Sequence, residues 1–328
     1  MTVKMSFHSL QRSFKLSERL FNVWQRGGDL PKRIALVSVM IGCSFCGGVI
    51  QSANAQALVP HTLQLDRNKL ERQGLSLAQE AAQIAQFQPS PDMIQQMALP
   101  RAKLASQLAP KNDKVWFLLG GLYLQTKNFD NAALALGRAK TLNPKNGDIH
   151  FALGSVYFQQ EQYQKAVGHY QSGLKLKPKD PEGWFDLANA NYMLGKHPEA
   201  ISQYEKAISQ NKKFWPAINN IGLILYEQGD VSGAMNKWKE AINKAEETKQ
   251  PTAEPQLALA VALYARGDRQ RSIAIGEKAL RTDGRYAQLD FLKQNLWGQR
   301  LLLDTEQFLQ LPQIQATLQR NRNLPQPR

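Results

Sequence analysis

Two cysteines, Cys43 and Cys46, stand at the Cys-x-x-Cys spacing on which thiol–disulfide chemistry is often built, and they are the only thiols in the 328 residues. A redox pair needs an exposed, electropositive setting that lowers a thiol's pKa. These two lie inside residues 34–50, an apolar run of Val, Met, Ile and Gly, which argues against redox work. The five histidines are His8, His61, His150, His169 and His197, and none stands three or four residues from another His, Cys or carboxylate in a recognised metal spacing. There is no strand pattern, no Gly-rich phosphate loop and no G-x-S-x-G. No catalytic residue, cofactor site or metal site is expected. His150 holds a place where its counterparts are Trp, which marks it for packing.

Those counterparts exist because residues 113–246 carry one pattern four times at a step of 34. Trp116, His150, Trp184 and Ile218 hold its first phase. Leu119, Leu153, Leu187 and Ile221 follow, and directly after them come Gly120, Gly154, Ala188 and Gly222. Ala132, Ala166, Ala200 and Ala234 precede Leu136, Tyr170, Tyr204 and Trp238, and Ala139, Gly173, Ala207 and Ala241 close the set. Large residues at these intervals fall on one face of a helix. The small ones let a second helix cross close by. Pro144 and Pro178 then stop that second helix, since proline lacks the N–H and disfavours the α region in the residue before it.

This pattern resembles the tetratricopeptide repeat, a 34-residue helix–turn–helix unit. The resemblance implies an all-α, right-handed superhelix (an α-solenoid) of about five repeats, with a degenerate N-terminal repeat and a C-terminal capping helix. Residues 58–112 read as a linker and the degenerate repeat, which keeps the phase through Ala98, Ala105 and Pro110. Residues 113–284 are the array. After the fourth unit the second helix is expected to continue to Pro251, and the fifth unit matches in part, with Gln256, Ser272 and Gly276 out of character. Residues 285–312 read as capping helices, chiefly residues 289–303, and residues 313–328 as a flexible polar tail.

In such proteins the first helix of each repeat lines a concave groove. The resemblance assigns groove-facing roles here to Phe117, Phe151 and Phe185, to Asn189 and Asn219, and to Phe158, Tyr192 and Tyr226. Two aromatic ladders result, with the two asparagines expected to orient a bound segment. A clamp for chaperone C-terminal carboxylates is argued against. Its Lys, Asn, Asn, Lys and Arg places hold Phe117, Gly121, Ala152, Glu182 and Asp186, and the alternative register gives Phe185, Glu254 and Ala258 for the cations. Carboxylates there repel a carboxylate.

Upstream, residues 1–33 are basic, residues 34–50 are apolar, and A-x-A sites follow at residues 53–55 and 55–57. That is the pattern of a secretory signal peptide cleaved after Ala55 or Ala57. A retained anchor of 17 residues, short for a bilayer, and a lipoprotein acylated at Cys43 after Met40-Ile41-Gly42 are the alternatives. Each reading of residues 1–57 puts the repeats outside the cytoplasm or against a membrane. The formal charge is +14, from 41 Lys and Arg against 27 Asp and Glu, spread along the chain. It suits an acidic partner or an anionic membrane, and nucleic acid is not expected.

Two function classes follow. One is a non-enzymatic scaffold that takes a peptide or helix of an unidentified protein partner in its groove. The other is an organiser that binds a membrane or an anionic polymer through its basic surface. Export or anchoring followed by about five repeats is similar to the layout of tetratricopeptide-repeat proteins of thylakoid membranes. That similarity implies assistance to photosystem assembly or chlorophyll biosynthesis.

Overall fold

The computed structural model describes residues 66–87 and 90–323, and every regular element among them is helical. The apolar segment with Cys43 and Cys46, the sites at Ala55 and Ala57, and residues 324–328 lie outside the described residues. Helix α1 (Arg67–Gln86) pairs with α2 (Leu99–Leu108), into which a short helix, Pro91–Met93, and a π-helical turn, Ile94–Ala98, run. Five antiparallel pairs follow. They are α3 (Asp113–Gln125) with α4 (Phe129–Leu142), α5 (Gly147–Gln159) with α6 (Tyr163–Leu176), and α7 (Pro181–Met193) with α8 (His197–Gln210). Then come α9 (Trp215–Glu227) with α10 (Val231–Glu247), and α11 (Ala253–Ala265) with α12 (Arg269–Thr282). The second helix of each pair packs on the first helix of the next, which gives the expected solenoid of stacked helix pairs. Beyond it lie a 3-10 turn, Gly284–Ala287, and α13 (Leu289–Gln294), α14 (Gln299–Leu309) and α15 (Pro312–Asn323).

The 34-residue step recurs in the caps and turns. The side chains of Asn112, Asn146 and Asp180 accept hydrogen bonds from the first backbone N–H groups of α3, α5 and α7, satisfying donors that have no partner inside the helix. Within each repeat the tight turn needs a left-handed residue, supplied by Lys127, Glu161, Gly195 and Gly229 at the common step and then by Gly267. Glycine adopts that conformation without steric cost, whereas Lys127 and Glu161 hold it under strain.

Close crossing explains the small phase that follows the leucines. A Cβ on Gly120 would come 2.5 Å from Leu136, one on Gly154 2.5 Å from Tyr170, and one on Gly222 2.6 Å from Trp238. The first phase has a polar task as well. The Trp116 and Trp184 indole N–H groups donate to the carbonyls of Pro110 and Pro178, and His150 Nε2 makes the equivalent contact to Pro144 O at 3.3 Å. His150 thus replaces Trp in packing and in hydrogen bonding alike.

The second helix of the fourth repeat is longer than its counterparts but stops at Glu247 as α10, short of Pro251, because Lys249 turns the chain at φ 54°. Two expectations for the C-terminal end need correction. Residues 289–303 are not one capping helix, because α13 ends at Gln294 and α14 starts at Gln299, after Leu296 turns the chain at φ 68°. Residues 313–323 are not a flexible tail. They belong to α15, which packs on α12 with Ile314 and Thr317 buried, while Asn321 Nδ2 donates to Leu280 O at 2.8 Å. Ile314, Thr317 and Leu318 form one face of a helix, so the polar composition concealed a narrow apolar stripe.

Candidate binding groove

Helices α3, α5, α7, α9 and α11 form the inner row, and α14 lies against α9 and α11 of that row. Glu227, at the end of α9, accepts from the backbone N–H of Arg300 at 3.0 Å and of Leu301 at 2.9 Å, so its carboxylate caps α14. Tyr226 donates to Asp304 at 2.6 Å, and the Arg300 guanidinium lies over its ring at 5.1 Å. Burial, then the bond to Asp304, pushes the Tyr226 hydroxyl well above the usual phenol range. Leu301, Leu302, Phe308 and Leu309 of α14 are buried as well.

Phe308 accounts for the oddest residue of the fifth repeat. Where earlier repeats carry Leu136, Tyr170, Tyr204 and Trp238, the fifth has Gly276, and the ring of Phe308 occupies that space. A Cβ on Gly276 would lie 2.5 Å from it, with Ala260 behind, as Gly120, Gly154 and Gly222 stand behind their large partners. A side chain missing from α12 is therefore supplied by α14.

The first aromatic ladder faces inward, not into the groove. Phe117 is 1% exposed, Phe151 2% and Phe185 7%. Phe151 sits against Gly173 of its own repeat and Gly183 of the next, where a Cβ would come within 2.5 and 2.7 Å of its ring. Phe185 packs edge-on to Phe214 at 5.4 Å and tilted to Tyr204 at 5.6 Å. These rings join one repeat to the next. The signal was the small closing phase of the repeat, Ala139, Gly173 and Ala207, which makes room for them.

Asn189 and Asn219 are also fully buried, in a polar chain that crosses three repeats. Tyr204 donates to Asn189 Oδ1, Asn220 Nδ2 donates to Asn189 at 3.0 Å, and Asn219 Nδ2 donates to Asn220 at 3.2 Å and to Glu254 at 3.1 Å. Tyr286 and the Trp297 indole complete the cage around Glu254 at 3.3 and 3.4 Å. Burial drives the Glu254 carboxyl up to about 7, against the hydrogen bonds that hold it down. Both asparagines thus fix neighbouring repeats to each other and do not face a ligand. The chain continues to Glu254, Tyr286 and Trp297, partners that no local spacing revealed.

Of the eight groove residues named from sequence, Phe158 and Tyr192 stay partly exposed on the inner row, and Tyr226 lies beneath α14. Around Phe158 and Tyr192 the inner surface includes Leu124, Ser155 and Met193, the last 39% exposed. The surface is mainly apolar, since the Ser155 hydroxyl bonds inward to Phe151 O at 3.1 Å and accepts from the buried Tyr170 at 3.4 Å. Burial, then Glu227, raises the Tyr192 hydroxyl, so it is a neutral donor at any physiological pH. His169, stacked on Tyr157 at 5.2 Å, is brought down to about 4 by burial and then by Lys140 and His150, and it packs as a neutral ring. Among the described residues no group of three or more His, Cys, Asp or Glu could hold a metal ion, and no helix is long and apolar enough to cross a membrane.

Comparison with known families matches a TPR repeat model over residues 154–195 and tetratricopeptide repeat models over residues 113–146 and 181–214. Among solved structures the chain is similar to PilW, a widely conserved type IV pilus biogenesis factor. The identity is 16% and the TM-score 0.56, covering 75% of this chain and 98% of that one. It is also similar to PilF of Pseudomonas aeruginosa, at 14% identity and a TM-score of 0.55, covering 69% and 97%. A MamA protein is 22% identical with a TM-score of 0.48, covering 56% and 95%. At these identities the likeness is one of fold. Comparison with curated proteins returns no match.

Proposed function

This chain is a tetratricopeptide-repeat protein, and from that premise we propose that it is a non-enzymatic scaffold holding a segment of a partner protein along the inner face of α3, α5 and α7. The observation that carries the reading is the seat of α14. The inner face of the last two repeats already holds an amphipathic helix, whereas among the described residues no helix lies over that of the first three. Phe158, Tyr192 and Met193 supply apolar contact there. The reading extends to location. A basic stretch, an apolar run and A-x-A sites support export across, or anchoring to, a membrane, where such a scaffold would assist assembly of membrane proteins, those of thylakoids among them.

A photo-crosslinking residue in place of Tyr192 tests this, with one in place of Lys165 on the outer helix α6 as control. In the native membrane extract the inner position is expected to give a discrete adduct that the outer one does not. Identical adducts from both positions, or none from Tyr192, would contradict groove binding.

A further inference from the structure

We propose that the edge of the solenoid formed by the turns between repeats docks on an anionic lipid bilayer. These turns carry a second repeated motif, in which the prolines end the helices and offer their carbonyls to Trp116, His150 and Trp184 while the lysines are left exposed. Leu108-Ala109-Pro110-Lys111, Leu142-Asn143-Pro144-Lys145 and Leu176-Lys177-Pro178-Lys179 recur at the 34-residue step, and Lys213 continues the lysine row beside Lys212. Lys111, Lys145, Lys179 and Lys213 are all exposed, as are Pro110, Pro144 and Pro178. The cap residues Asn112, Asn146 and Asp180 give the first three turns one backbone form, so the lysines project in register from successive repeats. Helices pack at about 8–10 Å, which spaces the row on the order of one Debye length at physiological salt.

Of the acidic groups along this edge, Asp148 is buried, Asp113 and Asp180 are half-buried, and Glu247, near Lys213, pairs with Lys244. Asp148 is paired with Lys177, Asp180 accepts from Gly183 N, and Asp113 accepts from Asn143 Nδ2. The opposite edge, made by the turns inside each repeat, has no such row. Its equivalent positions are Lys127, Glu161, Gly195 and Gly229. The ladder is thus not a by-product of a basic composition.

A bilayer fits this edge better than a soluble polyanion. The lysines are interleaved with apolar groups of the same turns, namely the exposed prolines, the partly exposed Leu108 and Leu142, and Leu176 at 41% exposure. An interface accepts apolar groups beneath its headgroups while lysine ammonium groups meet the anionic charge.

The test is acetylation of lysines by an amine-reactive ester, read residue by residue by mass spectrometry. The full chain is mixed with vesicles of phosphatidylcholine alone or with added phosphatidylserine. Labelling of Lys111, Lys145, Lys179 and Lys213 is expected to fall severalfold only with phosphatidylserine, while Lys127 and Lys196 label unchanged, and about 1 M salt should restore it. Equal labelling in both vesicle types, equal protection of Lys127 and Lys196, or protection that survives high salt would overturn the proposal. Protection by soluble polyphosphate but not by phosphatidylserine vesicles would overturn it in favour of a polymer. Replacing Lys145, Lys179 and Lys213 by Glu should leave the melting temperature unchanged and expose Lys111 to label. Continued protection of Lys111 would also count against the bilayer.

Discussion

Repeats α3–α8 and repeats α9–α12 are cut to one 34-residue pattern, yet their inner helices meet different surroundings. At the shared last-turn phase Phe158 and Tyr192, with Met193 beside the latter, are partly or well exposed, whereas Tyr226 of α9 is buried and Tyr264 of α11 packs edge-on to Phe308 of α14 at 5.7 Å. The difference is α14. A solenoid with a neighbour on one side only must cover its last repeat, and here the cover reaches past the end to lie on the inner row. The fifth repeat is built for that cover. Gly276 leaves a space that Phe308 fills, and Glu254 is buried with Asn219, Tyr286 and Trp297 around it. One half of the groove is therefore architecture, and the other half is uncovered among the described residues.

The largest effects should come from removing rings that join elements. Phe308→Ala is expected to cost about 3–5 kcal/mol in urea unfolding, with Gly276→Leu in the same chain restoring part of it. A Gly276→Leu change that only adds to the loss would break the equivalence between Phe308 and the large residues of earlier repeats. Phe151→Ala should destabilise by a similar ~3–5 kcal/mol, since its ring fills the space at Gly173 and Gly183. Loss of partner binding at unchanged stability would instead return the ladder to the groove.

A smaller effect concerns Glu254. Its carboxyl titrates near 7 in the fold, above the ordinary value of 4.5, so between those values the folded state binds more protons than the unfolded one. Its contribution is then fully present below about pH 4.5 and is lost as pH rises through 7. Thermal melts should show the wild type losing at least about 2 °C more than Glu254→Gln between pH 5 and pH 7.5. Parallel pH profiles would mean that Glu254 is ionised throughout.

The smallest prediction belongs to the open half. Glu161 holds a left-handed turn that Gly195, Gly229 and Gly267 hold without strain. Glu161→Gly should raise stability by about 0.5–1 kcal/mol, measured by denaturant midpoint. A loss would mean that the side chain contributes more than its backbone costs.

What could be read from sequence was what repeats locally. Gly154 opposite Tyr170, and the prolines after the second helices, follow from contacts inside one 34-residue unit, so the solenoid was legible before any coordinates. Phe117, Phe151 and Phe185 were misplaced because their burial depends on the neighbouring repeat: Phe151 needs Gly183 as much as Gly173. Asn219 could not be placed without Glu254, 35 residues on. Helix α14 was the hardest case. Its contact with Glu227 spans 73 residues, and no period links them. Gly276 was visible as an anomaly, but its partner lay outside the repeat.

Tyr192 and Tyr226 hold the same phase in adjacent repeats and differ in whether α14 lies over them, so the pair is an internal control for a groove covered at one end. Hydroxyl-radical footprinting of the full chain should label Tyr192 severalfold faster than Tyr226, and Phe308→Ala should raise labelling of Tyr226 while leaving Tyr192 unchanged. Equal labelling of the two tyrosines in the unaltered chain would contradict a groove that is filled at one end and open at the other.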